Sequence, residues 1–259
     1  MRRIILALAT IAVFATIPQA HAQSVVDEAI NHIKLNESES SATPKDSATN
    51  TPCRVTILKP KRMLPEAVED PQRGWVREFE ARKTGLTTKS NLKVSGADVR
   101  TIAFWMKLDD EATKWNDVTQ IVKQNNAEIV AMGRFSQPHG VVAINAVNGN
   151  MIRVITDPKA SCRVQFQLKE SLFNEWHHII VTTPENGAIS GVKVYVDGVD
   201  AGKGKVVDGK NHPIEDYKLN TAASPISFGT TCNALLSDIM IFDRALTPKE
   251  IIEVIRYDK

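Results

Sequence analysis

Three stretches near the C-terminus decide the fold: Trp176-His177-His178-Ile179-Ile180-Val181, then Val192-Lys193-Val194-Tyr195-Val196-Asp197-Gly198, and finally Ser237-Asp238-Ile239-Met240-Ile241-Phe242-Asp243-Arg244-Ala245-Leu246-Thr247. Their apolar, β-branched runs predict one strand in each stretch. Asp197-Gly198 predicts a tight hairpin turn, because such turns need residues that tolerate positive φ. The order is therefore strand, strand with turn, then strand.

A short helix is predicted to follow the last of these strands. Thr247-Pro248-Lys249-Glu250 has the form of a capping box with proline at the first helical position. Apolar residues then recur at Ile251, Ile252, Val254 and Ile255. They would dock the helix on a sheet.

Further strands are predicted upstream of these stretches. Residues 101–108 alternate in the manner of a half-buried strand, with Phe104 and Met106 on one face and Trp105 on the other. Asn148-Gly149-Asn150 supplies another turn. The remaining predicted strands are 121–123, 128–133, 141–145, 151–156, 163–168 and 226–229. Many short strands with regular turns predict an all-β, antiparallel β-sandwich.

In this order, the motifs resemble the laminin-G-like jelly roll of the concanavalin A-like lectin and glucanase superfamily. Residues 101–107 loosely match the family's early aromatic strand, and 176–181 match its Trp-His-His strand. Its Val-Asp-Gly hairpin corresponds to residues 194–198, its Ile-x-Ile-Gly strand to 226–229, and its final strand and helix to 237–251. The resemblance covers about residues 72–257 and implies a jelly-roll sandwich.

The same resemblance raises the question of calcium. In relatives, the region around Asp238 can help to hold a structural Ca²⁺ through carboxylates and carbonyl oxygens. This chain has Ser237 where the family has an acidic residue, and Leu235 where a glycine is common. No cofactor is therefore expected, and calcium is only an alternative.

The first residues form the pattern of a secretory signal peptide. Arg2-Arg3 precede an uncharged apolar run at 4–17, and Ala20-His21-Ala22 is a small-x-small cleavage site. The run is too short for a spanning helix, which needs about 20 residues. We expect residues 1–22 to be removed, leaving no integral membrane segment, and the protein to be periplasmic or secreted from a bacterium.

Residues 23–71 are expected to be a flexible tail ahead of the sandwich domain at 72–259. Residues 25–34 have helical spacing, and 35–51 are polar enough to predict a flexible linker. Residues 55–58 are predicted to form a first strand, and 61–72 are expected to be irregular. Residues 54–78 contain both basic and acidic side chains and are expected to form a solvated, mixed-charge surface. The net charge of +2 gives no reason to expect nucleic acid as a partner.

Three cysteines are present, so one disulfide is expected in an oxidising compartment. Cys162 and Cys232 are the favoured pair because both flank predicted strands. Cys53 would then be a thiol or bridge to another chain. The alternative is that all three cysteines are buried and reduced.

Enzyme motifs are mostly missing. No Glu-x-Asp-x-x-Glu strand, His-Glu-x-x-His helix or Gly-x-Ser-x-Gly elbow occurs. His177 and His178 are adjacent in a strand, so their side chains point to opposite faces and do not suit one metal.

One aromatic residue in a polar loop suggests a ligand site. Trp115 is followed by Asn116 and Asp117, so an indole ring could stack on a sugar while the amide and carboxylate bind its hydroxyl groups. The alternative is a tryptophan folded over the sandwich edge. The sequence favours a non-catalytic module that recognises a glycan or protein. A polysaccharide-acting enzyme and a structural subunit of an envelope or surface assembly are the alternatives.

Overall fold

The computed structural model describes residues 24–56, 62–89, 91–110, 126–133, 141–156, 162–221 and 223–257. Within these residues, the strands form two antiparallel sheets. Buried apolar side chains from both sheets, such as Phe104 and Ile179 from one and Ile144 and Val154 from the other, pack in one shared core. The predicted antiparallel β-sandwich is confirmed.

Sheet A is the larger of the two. Its ten strands, numbered along the chain, are β1 (Asn31–Ile33), β2 (Lys45–Asp46), β3 (Thr51–Pro52), β5 (Glu66–Asp70), β6 (Gly74–Phe79), β8 (Thr101–Leu108), β13 (Trp176–Thr182), β14 (Lys193–Val196), β15 (Val199–Asp200) and β18 (Ala234–Phe242). The order is β15-β14-β13-β8-β18-β1-β2-β3, and the β5–β6 hairpin also pairs with β18. The long β18 therefore holds β6 along its first half and β1 along its second.

Sheet B packs against the inner face of sheet A. Its eight strands are β4 (Arg54–Val55), β7 (Leu86–Thr87), β9 (Asn126–Gly133), β10 (Val141–Val147), β11 (Met151–Ile155), β12 (Arg163–Gln167), β16 (Lys205–Val207) and β17 (Ile226–Phe228). Their order is β16-β12-β11-β10-β9-β17-β7-β4. Asn148 and Gly149 have positive φ in the turn between β10 and β11, as their sequence predicted.

The C-terminal helix α1 (Pro248–Tyr257) covers part of the outer face of sheet A. Its buried residues Ile251, Val254 and Ile255 pack with side chains of β8, β13 and β18. The capping box is present, because the Thr247 amide donates to Glu250 at 2.7 Å and the Glu250 amide donates to Thr247 Oγ1 at 3.4 Å. In the described part of the chain, no helix is long and apolar enough to cross a membrane.

The helix predicted over residues 25–34 was wrong. A single 3₁₀ turn, Val25–Glu28, is capped by Ser24, and β1 begins shortly after it at Asn31. The apolar residues Val25 and Val26 pack on sheet A beside α1. The second half of β18 needs a pairing partner, and Asn31–Ile33 provide its hydrogen bonds. Sheet pairing therefore overrides a short helical pattern that is weak in isolation.

The flexible linker predicted over residues 35–51 was also wrong. Leu35 is fully buried in the main core. The Asp46 carboxylate accepts hydrogen bonds from the Asn31 side chain at 2.6 Å and from the His32 amide at 2.8 Å. Arg77, itself fully buried, binds backbone carbonyls of this segment. Polar residues order the segment through long-range hydrogen bonds that its composition does not reveal.

The stretch predicted to be irregular at 61–72 contains a strand. Glu66–Asp70 pair with Gly74–Phe79 to form a hairpin whose turn is closed by Asp70, which accepts from the Gln72 amide at 2.9 Å. The strand was not predicted because three of its five residues are acidic, and acidic residues are depleted in strands. Its position on an edge explains their presence, since charged edges resist unwanted pairing.

Candidate functional site

Trp115, Asn116 and Asp117 lie outside the described residues. The ligand site predicted at these residues therefore stays a prediction.

The predicted disulfide between Cys162 and Cys232 is wrong in this fold. Cys53, Cys162 and Cys232, which all lie in the described part of the chain, are buried thiols with no disulfide between them. Cys162 precedes β12, whereas Cys232 follows β17, four strand positions away in sheet B. At roughly 4.8 Å per strand this separation is about 19 Å. A disulfide needs Cα atoms within about 7 Å.

Cys53 is poorly placed to bridge to another chain. It is 5% exposed and packs in the main core. Burial, together with the nearby carboxylates of Asp46 and Glu37, raises the pKa of its thiol to about 12. Because a thiolate is the species that exchanges, this cysteine is unreactive in the folded protein.

His177 and His178 lie on opposite faces of β13, as the sequence predicted. His177 pairs across the sheet with the core residue Met106, and its Nδ1 lies 2.8 Å from the Asp197 carboxylate. Asp197 also accepts from the His178 amide at 2.8 Å, so it ties the β14–β15 turn to β13. Hydrogen bonding to Asp197 raises the pKa of His177. The pair therefore stabilises a turn and does not share a metal.

His178 is fully buried on the outer face of sheet A. Its ring centroid lies 4.7 Å from that of Trp105. Burial, reinforced by the nearby positive charge of Arg73, lowers the pKa of His178 to about 3. The side chain is thus a neutral ring in the packed layer beneath the pocket described below.

Asp238 lies at a β-bulge in β18, with φ of 49°. The bulge stands where β1 and β6 separate along β18. The Asp238 carboxylate lies 3.2 Å from His32 Nε2 and accepts from Arg73 Nη2 at 3.4 Å. It also accepts from the Ser237 hydroxyl. The bulge therefore directs the Asp238 carboxylate towards a buried cluster of charged and polar side chains.

These residues do not fit a calcium ion. Both oxygens of Asp238 are already engaged, and a cation there would face the Arg73 guanidinium. Calcium prefers six to eight oxygen ligands. Within the described ranges, no group of three His, Cys, Asp or Glu residues is arranged to hold a metal.

A cavity of about 390 Å³ opens beside this cluster. It is within the range of small-ligand sites. Two exposed aromatic residues line it: Trp75 is 37% exposed and Tyr257 is 47% exposed. The other lining residues are Lys34, Asn36, Arg73, Ser237 and Asp238. We call this cavity the Trp75 pocket. Aromatic rings beside hydrogen-bonding groups suit a ligand with both an apolar face and hydroxyl groups.

Arg73 ties the pocket to the sheet beneath it. Its guanidinium carbon lies 4.1 Å from the ring centroid of Trp105 and 5.5 Å from that of Trp176. Stacking on these rings and bonding to Asp238 fix the arginine from two sides. The pocket floor is therefore preorganised, which lowers the entropic cost of binding.

Sequence reasoning did not find the Trp75 pocket. Its residues come from 34–36, 73–75, 237–238 and the end of α1, which no motif links. One local signal was present, because Trp75 directly follows Gly74, a turn glycine with φ of 68°. A tryptophan at the mouth of a hairpin is well placed for exposure.

The sandwich is similar in fold to several domains of known structure. Domain 4 of AbnA, a GH43 extracellular arabinanase from Geobacillus stearothermophilus solved with arabinotriose, superposes with a TM-score of 0.59 at 18% identity, over 88% of this chain and 98% of that one. The binding domain of botulinum neurotoxin DC, solved with rat synaptotagmin II, gives a TM-score of 0.61 at 13% identity over 91% of this chain and 53% of that one.

A third similar structure is the botulinum neurotoxin serotype D ligand-binding domain, solved with N-acetylneuraminic acid. Its TM-score is 0.56 at 16% identity, over 89% of this chain and 51% of that one. The chain thus spans about half the length of the toxin chains that it matches. At these identities the likeness shows the fold alone, which accommodates both binding and glycan-acting proteins.

No curated protein is significantly similar to this chain in sequence. A family model, in contrast, matches residues 81–252, from the end of β6 to the middle of α1. That family is Laminin_G_3, of the concanavalin A-like lectin/glucanases superfamily. The jelly-roll resemblance is therefore confirmed, and the chain belongs to the Laminin_G_3 family.

Proposed function

We propose that this protein is a non-catalytic recognition module that acts outside the cytoplasm and binds a glycan in the Trp75 pocket. One observation carries the proposal: exposed Trp75 and Tyr257 line a 390 Å³ cavity together with Lys34, Asn36 and Asp238. A sugar has apolar C–H faces that pack on aromatic rings and hydroxyl groups that bond to amides, amines and carboxylates.

The composition of the pocket favours binding over cleavage. Most glycoside hydrolases place two carboxylates about 5–9.5 Å apart around the scissile bond. Asp238 is the one carboxylate among the residues described as lining this pocket, and its oxygens are bonded to Arg73, His32 and Ser237. It is therefore poorly suited to exchange protons with a substrate.

A second cavity supports the enzymatic alternative. It measures about 500 Å³ and its lining includes Glu78, Glu80 and Asp109. Partial burial and the neighbouring acids Glu66, Glu80 and Asp109 raise the pKa of Glu78, as a general acid requires. Incubating each bound glycan with purified protein separates the two functions, since product release would replace the binding proposal with the enzymatic one.

Substituting Trp75 tests the binding proposal. We expect Trp75→Ala to weaken glycan binding roughly tenfold, because the mutant loses the aromatic surface for the sugar. The melting temperature should change little, since the ring is partly exposed. A glycan array identifies the ligand, and titration calorimetry then measures its affinity for the wild type and for Trp75→Ala.

Tyr217→Ala is a matched control, because Tyr217 is similarly exposed at 40% but lies outside the pocket. It should bind like the wild type. Equal binding by Trp75→Ala and the wild type would eliminate this pocket. Binding to a protein and to no glycan would favour the protein-ligand alternative.

The extracytoplasmic location rests on the leader pattern in residues 2–22. We expect the mature chain to begin at Gln23 when the full-length gene is expressed in a proteobacterial host. Intact-mass measurement of the periplasmic and culture fractions checks this. Full-length protein found only in the cytoplasm would refute the proposed location.

A further inference from the structure

The charge of the Trp75 pocket is unbalanced. Lys34 and Arg73 contribute two positive charges to its lining, whereas Asp238 contributes the one negative charge among the described lining residues. The Asp238 carboxylate is already engaged, because it accepts from Arg73 at 3.4 Å and from the Ser237 hydroxyl. The positive charge that remains is that of the Lys34 amine.

Lys34 is partly buried at the pocket, and its amine has no carboxylate partner in the described part of the chain. Two other acids lie in neighbouring segments. The Glu37 carboxylate lies 3.6 Å from the Arg77 guanidinium and is thereby paired elsewhere. Glu69 lies opposite Trp75 in the β5–β6 hairpin but does not line the pocket. The amine therefore lines an accessible cavity without a counter-ion.

The backbone holds Lys34 in a fixed position at the pocket. Its carbonyl accepts from the Asp238 amide at 3.1 Å, which ties it to the bulge in β18. The next residue, Leu35, is fully buried in the main core with φ of 61°. Left-handed backbone is uncommon for leucine, and such strain persists only where the surrounding structure imposes it, often at ligand sites. This turn places Lys34 and Asn36 on the wall of the pocket.

We propose that Lys34 makes the Trp75 pocket selective for an acidic saccharide, by pairing with a carboxylate or sulfate on a sugar that packs against Trp75. A partly buried amine attracts an anion more strongly than a fully exposed one, because the local dielectric constant is lower. The aromatic rings of Trp75 and Tyr257 would contact the apolar face of the sugar, and Asn36 would bind a hydroxyl group. This inference rests on the proposed glycan-binding function and adds the class of glycan.

Titration calorimetry of the mature chain compares acidic trisaccharides with their neutral counterparts. Trigalacturonate and cellotriuronate differ from galactotriose and cellotriose only in carrying carboxylates in place of hydroxymethyl groups. We expect at least one acidic probe to bind roughly tenfold or more tightly than its neutral counterpart, with an advantage that shrinks as salt is added. A sulfated cellotriose distinguishes the two anions, and tight binding of either the carboxylated or the sulfated form supports the proposal.

The outcomes separate this inference from the proposed function. If neutral glycans bind at the Trp75 pocket and the acidic probes bind no more tightly than their counterparts, the acidic class is overturned and the glycan-binding function stands. If no glycan on the array and no probe binds, the proposed function fails and this inference fails with it. An acidic probe held in the pocket should also lose affinity in Trp75→Ala, and unchanged affinity there would place it elsewhere and overturn the inference.

Lys34→Gln should weaken binding of the acidic probe about tenfold, because an ion pair is lost, and should leave binding of its neutral counterpart nearly unchanged. The matched control is Lys205→Gln, at an exposed position of β16 in sheet B. It removes the same charge and should bind like the wild type. Equal losses in both variants would indicate general charge attraction and contradict the site.

Lys34→Arg supplies a second test that keeps the positive charge. It should retain most of the affinity for the acidic probe, since a guanidinium also pairs with carboxylates and sulfates. A loss as large as that of Lys34→Gln would mean that the shape of the lysine matters and not its charge, which would overturn the proposal. The salt dependence of the wild type needs no variant: an affinity for the acidic probe that does not change with salt would also overturn it.

Discussion

Acidification from about pH 7 to about pH 4 should cost the protein about 3 kcal/mol of stability through His178 alone. The pKa of this histidine falls from its ordinary 6.5 in the unfolded chain to about 3 in the folded protein. Below pH 6.5, His178 becomes protonated in the unfolded chain but stays neutral in the folded protein. Stability contributed by the neutral ring is therefore present above 6.5 and is lost as pH falls towards 3.

The physical cause is the position of the ring on the outer face of sheet A. It packs on Trp105, and both of its nitrogens are buried without hydrogen-bond partners. Arg73 opposes protonation, whereas the carboxylates of Asp197 and Asp238 favour it only weakly against the loss of hydration. A protonated ring would be a buried charge, so acid should loosen the layer that supports the Trp75 pocket.

His178→Phe isolates this contribution. The variant keeps an aromatic ring on Trp105 and should be within about 1.5 kcal/mol of the wild type at neutral pH. At about pH 4 it should gain about 3 kcal/mol relative to the wild type. Urea unfolding across the pH range measures the difference. His177, whose raised pKa acts in the opposite direction, is common to both proteins, so it cancels in the comparison. If the unfolding free energies of the wild type and His178→Phe changed in parallel with pH, the acid sensitivity would not come from His178.

Arg77→Met should destabilise the protein by about 4 kcal/mol or more. The Arg77 guanidinium donates to the carbonyls of Glu39 at 3.0 Å, Ala42 at 2.8 Å and Pro65 at 3.1 Å. It also lies 3.6 Å from the Glu37 carboxylate. Methionine fills part of the volume but leaves these acceptors without donors.

The loss should be concentrated in residues 37–46, which Arg77 attaches to β6. Hydrogen exchange should show these amides opening first, and thermal unfolding measures the total loss. The stability of Arg77→Lys should lie between that of the wild type and that of Arg77→Met, because an ammonium group cannot reproduce the forked donor geometry of a guanidinium. Arg256→Met, on the exposed end of α1, controls for removing one positive charge. A wild-type melting temperature for Arg77→Met would contradict this role.

The sequence predicted the elements in which local pattern and tertiary environment agree. Strand β8 has the predicted ends, Thr101–Leu108, and β13, Trp176–Thr182, begins at the predicted residue and extends one residue beyond the stretch quoted for it. Both are central strands of sheet A, and their apolar residues face buried layers on both sides. The capped helix was predicted equally well, because the two residues of its capping box, Thr247 and Glu250, are only three positions apart in the sequence.

The sequence failed where distant residues determine the structure. Residues 35–51 look like a linker until Arg77 and Asp46 are known to anchor them. The Trp75 pocket combines residues from four separate segments, and they leave no spacing that a single sequence can show. The order of strands along a sheet also rules out the disulfide that strand content alone suggested.

The pairing of β1 with β18 has a consequence for how the chain folds. Asn31 lies opposite Ile241, so the edge of β1 that faces β18 stays unpaired until that much later strand has been synthesised. Closing so long a loop is entropically costly, and folds dominated by such contacts form in milliseconds to seconds. Sheet A therefore closes only after β18 has been synthesised, and the Asp238 amide, which donates to the Lys34 carbonyl at 3.1 Å, lies where the chain after β1 meets β18.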